Sequence, residues 1–513
     1  MRTGGEPDRG FLFDYNNRLC AVEVSLAEIQ ASLASRAIES DDNKLEKAQT
    51  SAEQTARDAP LSLIQEIREN ITLRRQPLQI QDLSEDVIIN GILSEQTASI
   101  LLKGFSKLSN RWLFMSIKPS DLRAKSSLLF GTCILAGLHV TPSLHGSSTH
   151  QALYRHVHGL LGQAQSTSAV AIDTIQAMLI FSMWDLRPTK NHDHGNSWLL
   201  SGTAAMQVMI TTSFESLLRT SNTQEQIQAR DILRTWNLIC LCQLQFSVGS
   251  GRPPIIASQY FNQCAKVLDF PSYNARDELV LCGVDLYRIV WELISSNIVQ
   301  RDVPAWSEIE QLRKSQEHIY NLDSSEPLRF AYSCAYLILA HRTLQHTHKS
   351  QPDKPDSSTA TNEQDSLHQF IGFAVHHARQ ILVHFLSMSD LTTCIHPAYE
   401  NLLCSFAMVT LAEFVVHVPN IDDIIRLMEQ CISHIQQGGK AEPVSKWSMN
   451  VIKQHVNGRN EMDAMISVGT EDAHADPFIP TLGDSLTKSW VDSEWNLESE
   501  FPSLEDMFFG NVV

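Results

Sequence analysis

WLLSGTAAMQVMI at residues 198–210 and RDILRTWNLICLCQLQFSVGSGRPPII at residues 230–256 are the stretches whose reading decides the fold. In the second, Ile232, Trp236, Ile239 and Gln243 to Phe246 return at steps of three and four, so one face of a helix is expected to enter a core. Gly251, Pro253 and Pro254 then end that helix, because proline lacks an amide donor and disfavours helix in the residue before it. The first stretch continues a helical pattern from Trp198 to Phe214. Together they form two apolar helices closed by a rigid Gly-Arg-Pro-Pro turn, with no chemistry of their own.

The same periodicity extends in both directions. Ser94, followed by Glu95, caps a helix carrying Ile100, Leu101 and Phe105. Helical patterns follow over Ser126 to Val140, Gln151 to Gln163, Ala171 to Trp184, Thr223 to Val248, Asp277 to Ile298 and Trp306 to Leu322. Leu328 to His346, Leu367 to Ser387, Ala398 to Val418 and Ile421 to Gln437 complete the series. Alternating apolar and polar runs bounded by hairpin turns are scarce. The expected fold class is therefore all-α, a large multi-helix bundle or array. KSQPDKPDSSTATNEQD, Lys349 to Asp365, has the composition of a flexible loop within it.

Composition narrows the function classes. With 513 residues and 43% apolar content, the chain can bury a large core. A formal charge of −18 argues against a surface that grips phosphates unaided. No signal-peptide pattern follows Met1. The longest apolar run, LLFGTCILAGLHV at Leu128 to Val140, is too short for the roughly 20 residues of a membrane helix and reads as a buried core helix. No membrane association is expected. Ten cysteines lie mostly inside apolar helical patterns, as reduced thiols of an intracellular protein would.

The ends differ from the body. Leu12, Tyr15, Leu19, Val22, Leu26, Ile29 and Leu33 form a heptad seam within residues 1–40. It reads either as a short coiled coil that mediates homo- or hetero-oligomerisation, or as an amphipathic helix folded on the body. Residues 41–85 read as a linker with a short amphipathic helix at Leu63, Ile64, Ile67 and Ile71. The helical body is assigned to residues 86–456. In residues 457–513, Trp490, Trp495, Leu497, Phe501, Leu504, Met507, Phe508 and Phe509 alternate with acids, the composition of a disordered activation segment that contacts coactivators. Permanent docking of Trp495 to Phe509 on the body is the other reading.

Four segments, GILSEQTASILL at Gly91 to Leu102, AIDTIQAMLIFSMW at Ala171 to Trp184, SWLLSGTAA at Ser197 to Ala205, and Arg234 with Trp236 leading into SVGSGRPPII, resemble in order and spacing the middle homology region of the fungal zinc-cluster transcription factors. The resemblance singles out Trp198, Gly202, Arg234, Trp236, Gly251, Arg252 and Pro253 as a family signature. It implies a helical regulatory region, with Arg252 in a structural role such as a buried ion pair. Where many members carry an acid in the signature helix, this chain has Gln243. The family plan also places a six-cysteine zinc cluster ahead of the coiled coil. Cys20 is the one N-terminal cysteine here, so no cofactor is expected in this chain, and zinc only if an upstream cysteine cluster precedes it.

Catalytic candidates are weak. Gly249-Ser250-Gly251 lacks the lysine and preceding strand of a phosphate loop. Cys240 and Cys242 point to different helix faces. His156 with His158, and His376 with His377, do likewise, while His377 and His384 lack a third ligand. His192, Asp193 and His194 fall in a polar loop. Asp41-Asp42 and Asp422-Asp423 are pairs without the acid-rich motif of a metal-dependent helical enzyme, and no nucleophile elbow occurs. No catalytic or metal site is expected. The resemblance implies a nuclear transcriptional regulator of a pathway-specific gene set, serving secondary metabolism, secreted hydrolases or nutrient use. Its DNA contact would be indirect or through a missing or partner module. The alternatives are a zinc-cluster-less cofactor or dominant-negative partner of such a factor, and a helical enzyme or ligand-binding protein.

Overall fold

The computed structural model describes residues 86–109, 113, 119–138, 141, 144–188, 195–219, 222–296, 306–349, 360–388, 396–437 and 443–468. All belong to the unit Pro77–Val513. The heptad seam, the linker over residues 41–85, the loop histidines His192 and His194, and the acidic tail lie outside the described residues.

Among the described residues there are seventeen α-helices and no strand. The first seven are α1 (Glu95–Leu108), α2 (Pro119–Lys125), α3 (Ser127–Gly137), α4 (Ser148–Gln165), α5 (Ile172–Met183), α6 (Gly195–Thr211) and α7 (Phe214–Leu218). The middle set is α8 (Thr223–Ser250), α9 (Ser258–Phe261), α10 (Ala275–Ser295), α11 (Ser307–Ser315) and α12 (Glu317–Tyr320). The last are α13 (Glu326–Lys349), α14 (Ala360–Met388), α15 (Ala398–Glu413), α16 (Ile421–Gln437) and α17 (Pro443–Val468).

Packing follows chain order. Helix α1 lies on α3, α3 on α5, and α5 on α6. Helix α8 contacts α5, α6 and α10, α10 passes to α13, and α13 to α14, which carries α15 and α16. Helix α17 closes the series against α15 and α16. The all-α array expected from periodicity is what forms.

Helix starts are written locally. The hydroxyls of Ser94, Ser126 and Ser147 accept from the amides of Thr97, Leu129 and His150, satisfying donors that have no partner in the first turn. At α10, Asn274 and Asp277 form a capping box, each side chain accepting from the other's backbone amide. Helix α3 is buried from Leu128 to Gly137, as expected for a core helix.

Several boundaries differ from the periodic reading. The pattern from Trp198 to Phe214 breaks at Thr212, and Phe214 opens the separate α7. Trp306 to Leu322 is split at Gln316 into α11 and α12. Helical structure runs through Lys349 and resumes at Ala360, so both ends of the expected loop Lys349 to Asp365 are helical, and residues 350–359 lie outside the described residues. Helix α17 continues to Val468, past residue 456 where the sequence reading ends the helical body. Its polar segment QHVNGRNE hides the helical period from a hydrophobicity reading.

The largest difference is α8. Instead of burying one face, it is buried on nearly every side from Leu233 to Val248, with Leu241 and Gln245 half-buried. Its position among α5, α6 and α10 explains this, and several of its polar side chains find partners inside, although Trp236 Nε1 and Asn237 Oδ1 are buried without one among the described residues. Gln176 Nε2 donates to Thr235 Oγ1 at 3.3 Å, and Asn237 Nδ2 donates to the Cys264 carbonyl at 3.1 Å.

Candidate functional site

The residues singled out by the resemblance fall in two places: Trp198 and Gly202 of α6 lie against the turn of Gly251, Arg252 and Pro253 that follows α8, while Arg234 and Trp236 lie near the middle of α8. Gly251 ends α8 in the left-handed region at φ 67°, where an L side chain is disfavoured. The chain then turns back so that α6 lies beneath it. Trp198 Nε1 donates to the Pro253 carbonyl at 3.2 Å. Arg252 is exposed, and its guanidinium carbon stands 5.6 Å from the centre of the Trp198 ring, a cation–π distance.

Gly202 makes the close approach feasible. A Cβ there would stand 2.2 Å from Ile255 Cδ1 and 3.3 Å from Gln243 Oε1. Ser201, the residue before Gly202, donates from Oγ to Gln243 Oε1 at 2.9 Å, with both residues buried. Gln243, in the position where an acid occurs in many of the factors this chain resembles, thus serves as a neutral acceptor between α6 and α8. Near the middle of α8, Trp236 is fully buried against Phe214 at a ring distance of 5.1 Å.

The ion pair expected at Arg252 is found instead at Arg234. Its Nε and Nη2 donate to Asp277 Oδ1 and Oδ2, each at 2.7 Å. Hydrogen bonding to Asp277 raises the Arg234 pKa further above its usual range, the expected sign for a bidentate, sheltered pair. Asp277 was missed as a partner in the sequence, although the N-A-R-D spacing of the capping box was available to mark it.

A second feature lies along the same helix. A cavity of about 340 Å³ opens among α8, α10, α13 and α15, lined by Leu238, Phe246, Tyr287, Leu328, Tyr399 and Glu400 among others. Gly249 ties it to the turn, since a Cβ there would stand 3.2 Å from Tyr399 Cε2. Phe246 and Tyr287 each meet the Tyr399 ring edge-on with centres 5.7 Å apart. Glu400, in the first turn of α15, is 8% exposed. Its Oε2 is buried with no hydrogen-bond partner among the described residues. Burial pushes Glu400 up to about 7 from 4.5, partly offset by its own backbone amide. Burial also holds the Tyr287 and Tyr399 phenols protonated. The sequence signal for this site was a single acid in the apolar run PAYENLLCSFAMV.

The remaining candidates have structural roles. Burial pushes His377 down to about 3, and it packs against Phe373 and Tyr336 at ring distances of 4.3 and 4.8 Å. His384 Nδ1 lies 3.0 Å from Glu326 Oε2. Cys240 neighbours Cys264, whereas Cys242 neighbours Ser201 and Glu400, consistent with their different helix faces. Asp422 and Asp423 sit in the first turn of α16, where negative charge is favoured. Among the described residues, no group of three or more His, Cys, Asp and Glu side chains could hold a metal ion, and no helix is long and apolar enough to cross a membrane.

Comparison with known proteins identifies the family. The family described as the middle domain of the transcriptional activator of proteases prtT matches residues 91–438. The prtT activator of Aspergillus niger is 27% identical over 291 residues, covering 55% of this chain and 46% of that protein. That of Penicillium rubens is 23% identical over 384 residues, covering 74% and 56%. An uncharacterized transcriptional regulatory protein of Schizosaccharomyces pombe is 23% identical over 268 residues, covering 51% and 50%. The chain spans about half the length of the curated relatives it matches. No solved structure matches it. The matched residues run from the turn before α1 through α16 and include the whole α6–α8 cluster, so the chain belongs to the family of the prtT-activator middle domain.

Proposed function

We propose that the chain is a nuclear transcriptional regulator that acts through binding rather than turnover, and that its gene set includes proteases. The observation that carries this reading is the family match across residues 91–438, with relatives named as transcriptional activators of proteases. In this reading the body over residues 86–456 is the regulatory region. Trp198, Gly202, Arg234, Trp236, Gly251, Arg252 and Pro253 form its structural signature.

The outer segments take the roles their composition suits. The seam at Leu12, Leu19, Val22, Leu26, Ile29 and Leu33 brings chains together. The tail residues Trp490, Trp495, Leu497, Phe501, Leu504, Phe508 and Phe509 enter a coactivator groove as an amphipathic helix. DNA contact comes from a separate module, because a charge of −18 disfavours phosphate binding by the body itself.

The test is a reporter assay with the full chain fused to a neutral DNA-binding domain. The fusion should drive the reporter, and replacing Trp495, Phe501 and Phe508 by alanine should abolish the output. A silent but stably expressed and nuclear fusion would reject activation by this chain.

A further inference from the structure

The cavity beside the signature turn has the features of a recognition site rather than of a packing defect. Its volume of about 340 Å³ falls in the range of small-molecule sites. Leu238, Leu279, Val280, Leu328 and Ala331 supply an apolar wall. Against this wall stands a buried carboxylate oxygen of Glu400 that has no hydrogen-bond partner among the described residues. A buried acceptor left in that state is costly unless a donor reaches it.

The surroundings specify the donor's charge. The charged lining groups are Glu400, Asp323 and Glu326 on the acidic side and Arg276 on the basic side. Asp323 and Glu326 come from the segment leading into α13, and Arg276 comes from α10. Arg276 and Asp323 are both exposed and opposite in charge, and Glu326 is held by Arg329 and His384, so Glu400 is the carboxylate left for a ligand, which disfavours an anion and favours a cation. Phe246, Tyr287 and Tyr399, with centres 5.7 Å apart in two edge-on pairs, add aromatic surface, which attracts ammonium groups. Cys242, Cys334, Tyr287 and Tyr399, the other titratable groups close enough to sense the Glu400 charge, are held protonated by burial.

We propose that this cavity binds a small primary amine with an apolar body, its ammonium seated on Glu400 beside Phe246, Tyr287 and Tyr399 and its hydrocarbon against Leu238, Leu279, Val280 and Leu328. Burial raises the Glu400 pKa, so an arriving ammonium would favour the ionised form that the empty apolar surroundings disfavour. The ligand would lie against Tyr399, which touches Gly249 of the signature helix, and occupancy would therefore be felt at the turn.

Isothermal titration of the full chain tests this with phenethylamine and isoamylamine, each compared with its isosteric alcohol and with the matching carboxylate. The expected result is saturable binding of at least one amine, at least about tenfold tighter than its alcohol, with no binding of the carboxylate. Glu400→Gln should abolish that preference. Equal binding of amine and alcohol, preference for the carboxylate, or no binding of either amine at millimolar concentration would overturn the proposal. The amine–alcohol comparison needs no variant, so it decides the matter even if Glu400→Gln fails to fold. Binding is read on the protein alone and stands or falls separately from transcriptional output.

Discussion

Arg234 and Asp277 are joined by two parallel hydrogen bonds of 2.7 Å, fastening the middle of α8 to the start of α10 with side chains only 10% and 3% exposed. Asp277 Oδ2 also accepts the Asn274 amide at 3.0 Å. One carboxylate therefore closes an interhelical pair and a capping box together. Asp277→Ala would leave the guanidinium buried without its partner, at a cost of about 3–5 kcal/mol. Combining Arg234→Met with Asp277→Leu should recover most of that loss, because an apolar pair of similar volume can replace a buried ion pair. Urea unfolding of the two variants and the wild type measures the difference.

The approach of α6 to the turn depends on Gly202, and the turn itself on Gly251. Gly202→Val should destabilise by about 1–3 kcal/mol, because its side chain competes with Ile255 for space. Gly251→Ala should cost about 1–2 kcal/mol through left-handed backbone strain alone. Chemical denaturation should place both below the wild type, and only Gly202→Val should alter the environment of the nearby Trp198 indole fluorescence.

Trp198→Phe keeps an aromatic ring under Arg252 but removes the donor to the Pro253 carbonyl. The expected loss is about 1 kcal/mol. Arg252→Ala, which removes an exposed cation–π contact, should cost about 0.5–1 kcal/mol. Losses several times larger in either variant would show that this outer clamp bears more of the fold than its geometry implies.

Glu400 sets a pH dependence with a definite sign. Its pKa rises from 4.5 to about 7 on folding, so between these values the folded chain retains a proton that the unfolded chain has lost. Its contribution to stability therefore falls as pH rises through that window and levels off above about 7. The full effect is of order 3 kcal/mol. Glu400→Gln should be more stable than the wild type at pH 8, and the slope between pH 5 and 7 should be smaller. Urea midpoints across pH 5 to 8 provide the check.

The helical architecture was legible because apolar residues recur at three and four in most elements, and caps such as Ser94 and Asn274 mark where helices begin. Periodicity failed at α8. A helix buried on nearly every side carries no polar face to reveal its orientation, and the burial of Arg234, Asn237 and Gln243 is explained only by the partners Asp277, Cys264 and Ser201 that distant segments bring beside them. The Gly-Arg-Pro-Pro turn was readable from its residue types. The role of Arg252 was not, since the choice between an ion pair and a ring contact depends on α6, more than forty residues earlier in the chain. Glu400 was hidden for a related reason: a lone acid in an apolar helix reads as a surface position unless the helices facing it are known.

The central claim, that this chain regulates transcription of protease genes, is tested most directly by transcript profiling of cells with the chain removed and then restored. Protease transcripts should fall on removal and return on restoration, and Asp277→Ala should restore less than the wild type at equal expression of the gene. Unchanged protease transcripts together with an otherwise unchanged transcriptome would contradict the account.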